Sequence, residues 1–219
     1  MTASAPSFAA PREEVARCMR RLYEHGLTTT SGGNLSLRAD DRHVLLTASK
    51  FDKGTLTGDQ VGILTLDGAN LTPELTPSIE AGMHLAIYRQ RPDVTAVVHA
   101  HPVTASAFCC GTVPLDCRLL AESYAIVGDP GYAAYALMGT PELAAIVADT
   151  ASRHNCVLMA NHGVLTVGRN LLEAFDRLEV LETAARLNLI TRQLGGAAPL
   201  APERLAAIDA MMGRSTSLG

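Results

Sequence analysis

The sequence predicts an α/β protein in which helices cover both faces of one mixed sheet. Three observations carry this. Short alternating runs such as "LSLR" and "HVLLT" are joined by a polar turn and read as hairpin strands. Segments with apolar residues at helical spacing are interleaved with the strands along the whole chain. No repeat, low-complexity tract or composition shift divides the 219 residues, so one domain over 1–219 is expected, with a C-terminal tail from about 197.

Taken in order, "PREEVARCMRRLYEHG" puts Val15, Cys18, Met19 and Leu22 on one helix face behind Pro11 and stops at Gly26. The hairpin of "LSLR" and "HVLLT" follows, and "VGILTLDGAN" is a third strand that ends in an Asp-Gly turn. Residues 78–91 read as a helix with Ser78 as N-cap and Met83, Ala86 and Ile87 facing inward. "TAVVHAH" is a strand broken by Pro102, and "VTASAFCCG" a short helix. Residues 112–136 hold short segments around the turn "AIVGDPGY". Thr140 caps the helix of "TPELAAIVADTASRH", with Pro141 at its first position. "CVLMAN" and "GVLTVG" are strands on either side of "NHG". The longest helix runs from Asn170 to a stop at Gly195 and Gly196, and the tail holds one more short helix.

A net charge of −4 and a pI near 6.0 carry no nucleic-acid footprint. No apolar run approaches the length that spans a bilayer, so no membrane partner is expected. The first residues lack the apolar core of a secretory signal. The five cysteines are odd in number and show no CxxC spacing, as expected of reduced thiols in a cytoplasmic protein.

The chemistry begins at "VVHAHP". Alternate residues of a strand share a face, so His99 and His101 project together while Ala100 points the other way. Two adjacent imidazoles resist joint protonation and suit a shared cation. His162, in the "NHG" turn, is the third histidine, with Gly163 relieving crowding and allowing an unusual turn. Three histidines with an exchangeable fourth position form the pattern of a catalytic zinc. Glu80 opens the helix before the histidine strand and is the candidate carboxylate; His84 shares its helix face as a supporting group. "TTTSGGNLS" exposes backbone N–H groups suited to a phosphate, without the spacing of a P-loop or a dinucleotide fingerprint. Ser49 and Lys50 form a second anion-binding candidate.

"SGGNLSLR", "LLTAS", "PSIEAGMHLAIYRQRPDVTAVVHAHP" and "NHGVLTVGRNLLEAFDRLEVLE" together resemble the class II aldolase/adducin family, over residues 11–193. The resemblance implies a three-layer α/β/α fold around a central mixed, largely antiparallel sheet. It implies one zinc ion per chain on His99, His101 and His162, or another divalent transition metal. Glu80 would be both the catalytic acid/base and a further zinc ligand in the empty site. Gly33, Asn34, Ser49, Lys50, Ser78 and Ile79 fall on the phosphate contacts, with Lys50 and Ile79 departing from the fuculose-phosphate aldolase pattern of glycine and serine. A tyrosine near 112–124 donates a proton in that aldolase; Tyr124 and Glu122 are the candidates here.

The activity so implied is cleavage of a ketose 1-phosphate to dihydroxyacetone phosphate and an aldehyde, with the metal as Lewis acid and no Schiff-base lysine. Apolar segments at 112–136 and in the tail suit a 5-deoxy- or 5-methylthio-ribulose 1-phosphate. Epimerase, decarboxylase and dehydratase chemistry on the same scaffold are the rivals, with a non-enzymatic adducin-like module behind them. The family implies a homotetramer with sites between neighbouring chains. Leu205, Ala206, Ile208, Met211 and Met212 supply apolar surface for such a contact.

Overall fold

The computed structural model describes residues 7–214. Seven strands form one sheet: β1 (Asn34–Arg38), β2 (His43–Thr47), β3 (Val61–Thr65), β4 (Ala96–Ala100), β5 (Gly131–Ala133), β6 (Cys156–Met159) and β7 (Gly163–Gly168). Their order is β3-β2-β1-β4-β7-β6-β5, and every neighbouring pair is antiparallel except β5 with β6. The helices are α1 (Ala9–Glu24), α2 (Ala81–Gln90), α3 (Val103–Cys110), α4 (Ala121–Ile126), α5 (Pro141–Ala151), α6 (Leu171–Gln193) and α7 (Pro202–Met211). The expected mixed, largely antiparallel sheet is therefore present.

Strand alternation sorts the core into two layers. Leu35, Leu45, Val98 and Val164 meet Val15 and Met19 of α1 and Phe175 and Leu178 of α6. On the other face Val44, Leu46, Val97 and Leu165 meet Met83 and Ile87 of α2 and Leu143 and Val147 of α5. α1 and α6 on one face, and α2 and α5 on the other, each bury an apolar stripe against the sheet, the arrangement that covers both faces.

Local signals set several boundaries. Thr140 Oγ1 accepts from Leu143 N at 3.3 Å, and Asn170 Oδ1 accepts from Glu173 N at 2.8 Å, so both predicted N-termini are capped. The start of α3 is closed by a distant acid: Glu182 on α6 accepts from the N–H groups of Thr104 and Ala105 at 3.0 and 2.7 Å. This ties down the chain just after His101.

The expected helix over 78–91 is shorter. It begins at Ala81, with Glu80 rather than Ser78 at the cap position. The Ser78 hydroxyl accepts from Glu80 N at 3.3 Å and so holds the segment just before the helix. The Glu80 side chain makes no capping bond and is turned elsewhere.

All five cysteines are unpaired thiols, of which Cys110 alone is exposed. Burial pushes Cys18, Cys109, Cys117 and Cys156 up to about 12. In the native protein one thiol per chain, Cys110, should react rapidly with an aromatic disulfide reagent, and all five after unfolding. Fast native reaction of the buried thiols would contradict this packing.

Candidate metal centre and active site

β4 ends with His99 in the strand and His101 one step beyond it, and the turn between β6 and β7 carries His162. Their ring centroids lie 4.8, 4.9 and 5.6 Å apart, and one nitrogen from each falls within 4.8 Å of the others. His99 Nδ1 donates to Val164 O at 2.9 Å. That bond puts the proton on Nδ1 and leaves the Nε2 lone pair facing the cluster. His101 Nε2 stands 3.2 Å from His99 Nε2. Burial lowers the proton affinity of both rings, His101 to about 4, so they face each other as neutral bases. Converging neutral nitrogens of this kind fit a divalent ion.

The turn is built by a division of labour. The unusual turn expected at Gly163 is made at Asn161, which is left-handed with φ 53°, while the expected relief of crowding by Gly163 is observed. Gly163 serves close approach instead: a Cβ there would lie 2.4 Å from His101 Cδ2 and 2.8 Å from Ala100 O.

Glu80 completes the cluster. Its Oε2 lies 3.3 Å from His99 Nε2, and its Oε1 lies 3.0 Å from His162 Nε2 without the alignment of a hydrogen bond. Burial opposes its ionisation, but the facing His162 ring and the Asn34 amide outweigh burial and hold the carboxyl well below the usual carboxylate range.

A directed chain of hydrogen bonds positions this acid. Asn34 Nδ2 donates to Glu80 Oε2 at 2.7 Å and to Ser78 Oγ at 3.1 Å. Its Oδ1 must then face His84, whose Nε2 donates to it at 2.6 Å. That leaves His84 Nδ1 to accept from Ser36 Oγ, 2.6 Å away, and Tyr88 Oη lies 2.8 Å from the same hydroxyl. His84 is fully buried, and burial lowers it to about 3, so it is neutral. The expected supporting role of His84 holds, acting through Asn34 rather than on Glu80 directly.

A cavity of ≈ 490 Å³ opens onto this cluster. Gly33, Asn34, Ser49, Lys50, Ser78, Ile79, Glu80, His101 and His162 all line it. The candidate anion-binding residues therefore share one cavity with Glu80, His101 and His162, and the buried His99 lies behind them. Lys50 has a φ of 68°, where a side chain is strained by ~1–2 kcal/mol and where the family pattern has glycine. The polar lining residues Lys53, Tyr135 and Asn161 were not among the candidate site residues of the sequence. None follows an alternation or helical period. The donor candidates Tyr124 and Glu122 do not line this cavity. Tyr124 donates to Asp209 at 3.0 Å, beside α7, and Glu122 lies in the same helix, α4.

Replacing Gly163 with alanine should displace the His101 ring. Metal affinity, read by competition with a chromophoric chelator, should fall by about 10–100-fold, the range for lost ligand orientation. Wild-type affinity in that variant would contradict the placement of His101.

Comparison with known proteins agrees with the fold. The 3-oxo-tetronate 4-phosphate decarboxylase of Haemophilus influenzae is 35% identical over 183 residues, covering 81% of this chain and 86% of that protein. The 5-deoxy-D-ribulose 1-phosphate aldolase of Bacillus thuringiensis is 32% identical, covering 84% and 86%. A solved L-fuculose 1-phosphate aldolase superposes with a TM-score of 0.87 at 29% identity, covering 97% of this chain and all of that one. The family profile described as the Class II Aldolase and Adducin N-terminal domain matches residues 13–189, and the chain belongs to that family.

Proposed function

We propose that the protein is a metal-dependent aldehyde-lyase that splits a ketose 1-phosphate into dihydroxyacetone phosphate and an aldehyde. The observation that carries this reading is the single carboxylate, Glu80, facing two of three clustered imidazoles in the same cavity as the candidate anion loops. A divalent ion, zinc by the donor set, supplies Lewis-acid stabilisation of the charge left on the dihydroxyacetone phosphate half. Glu80 then moves the proton on and off the carbon that was C3. The chain from Tyr88 through Ser36, His84 and Asn34 keeps its carboxylate in place. The phosphate lies along Gly33, Asn34, Ser49, Lys50, Ser78 and Ile79, with Asn34 contributing backbone because its amide hydrogens go to Glu80 and Ser78. Tyr135, the tyrosine on the cavity lining, replaces Tyr124 as the group that exchanges a proton with the aldehyde oxygen.

Ile79, Tyr135 and Met138 form an exposed apolar rim at the cavity mouth. That rim suits a deoxygenated or thioether-bearing aldehyde, and with Leu137 it suits contact with a neighbouring chain in a homotetramer. Free thiols suit the reducing cytoplasm.

A second reading is favoured by the decarboxylase relative. Loss of carbon dioxide from a 3-oxo-tetronate 4-phosphate leaves the same dihydroxyacetone phosphate enediolate, so one stabilising site serves either leaving group. Metal-loaded protein should be given fuculose 1-phosphate, 5-deoxyribulose 1-phosphate and 3-oxo-tetronate 4-phosphate in turn. The proposal expects dihydroxyacetone phosphate with an equal amount of aldehyde from a ketose 1-phosphate. Carbon dioxide from the oxo acid, with no aldehyde from either ketose, would transfer the assignment to the second reading. On the accepted substrate, Glu80→Gln should lower kcat by about 10²–10⁴-fold with KM little changed. An unchanged kcat would remove Glu80 from the chemistry.

A further inference from the structure

The chain has only two lysines, Lys50 and Lys53, and both line the cavity. Lys50 is exposed, and its charge is screened by solvent. Lys53 is 3% exposed. Its backbone N–H donates to Thr30 O in the glycine loop, and its Nζ donates to Ala48 O, each at 3.0 Å. Of the three hydrogens on that ammonium, the carbonyl takes one. Among the described residues no carboxylate shifts it, and burial alone pushes it down to about 8. A buried cation without a partner destabilises a fold, so its position beside a cavity points to a ligand that brings the missing charge.

The neighbouring side chains do not supply enough donors for an anion by themselves. The Asn34 amide hydrogens go to Glu80 and Ser78, and the Ser49 hydroxyl donates to Pro77 O at 3.1 Å. Among the candidate phosphate contacts the Ser78 hydroxyl proton and the Lys50 ammonium remain, and Lys53 adds a second ammonium. Of the two cations, the buried one acts in the lower dielectric and binds an anion more strongly.

We propose that Lys53 is the buried countercharge for the substrate's phosphate, and thereby the residue that sets the preference for phosphorylated over neutral sugars. This rests on the sugar-phosphate reading above. The retained ammonium lowers the stability of the ligand-free chain and raises affinity for the dianion.

Calorimetric titration of metal-loaded protein with dihydroxyacetone phosphate and with dihydroxyacetone separates the two ideas. Wild type should prefer the phosphorylated ligand. In Lys53→Met and Lys53→Gln that preference should fall about tenfold or more, the scale of one lost charge-assisted bond, while affinity for dihydroxyacetone stays the same. The ligand-free thermal midpoint of Lys53→Met should equal or exceed that of wild type. A full phosphate preference in both variants would overturn the role of Lys53 and leave the sugar-phosphate reading intact. Equal affinity of wild type for the two ligands would overturn the sugar-phosphate reading and the inference with it. Failure of both variants to fold would make Lys53 a structural residue, and that also overturns the proposal.

Discussion

The register of β1 against β4 sets Asn34 directly opposite His99, and the chemistry of the site depends on that pairing. Both residues face α2, whose entry carries Glu80 and whose first turn and a half carries His84. One carboxylate can therefore touch His99 and Asn34 together. A slip of one residue would turn His99 into the opposite core layer and bring Ala100 to the site. The register is held from the other side as well, because β7 pairs with β4 and supplies the carbonyl of Val164 that fixes the His99 tautomer. The slip would also put the polar His99 ring among the apolar residues of the layer that holds Val98 and Ala100.

Around this register the molecule keeps two arrangements that a merely stable fold would avoid. Three imidazoles and a carboxylate converge at short range, and an ammonium is buried without an acid beside it. Each is unfavourable alone, and the proposed ligands have the opposite character: a cation at the histidines and an anion at Lys53. The left-handed backbone of Lys50 belongs to the same pattern of strain located at a functional cavity. The Asn34 amide sits between the two regions, bonded to Glu80 on one side and Ser78 on the other. In the proposed function, substrate position at the phosphate end and carboxylate position at the metal end thus share one side chain.

Much of this was legible in the sequence. The period of two in "VVHAH" announces that His99 and His101 share a face, and turn residues around "NHG" mark a loop able to return His162 to them. Helical spacing and caps locate α5 and α6, because Thr140 and Asn170 act within a few residues of themselves. What escaped depends on long-range contact. Ser78 resembles an N-cap, but its hydroxyl is drawn to Asn34, which lies far away along the chain, and the helix begins after Glu80. Lys53 and Tyr135 reach the cavity from irregular loops, where no periodicity states which way a side chain faces. Tyr124 had the residue type and neighbourhood expected of a proton donor, yet α4 turns it toward Asp209 and α7.

The central claim is that His99, His101 and His162 hold one catalytic divalent ion with an open position. Cobalt(II) substitution tests it most directly, because the visible spectrum reports coordination geometry independently of turnover. The account predicts one cobalt per chain, with the intense visible absorption of a four- or five-coordinate ion, perturbed on adding dihydroxyacetone phosphate. The pale spectrum of a six-coordinate ion that ignores this ligand, or no stoichiometric binding, would contradict it.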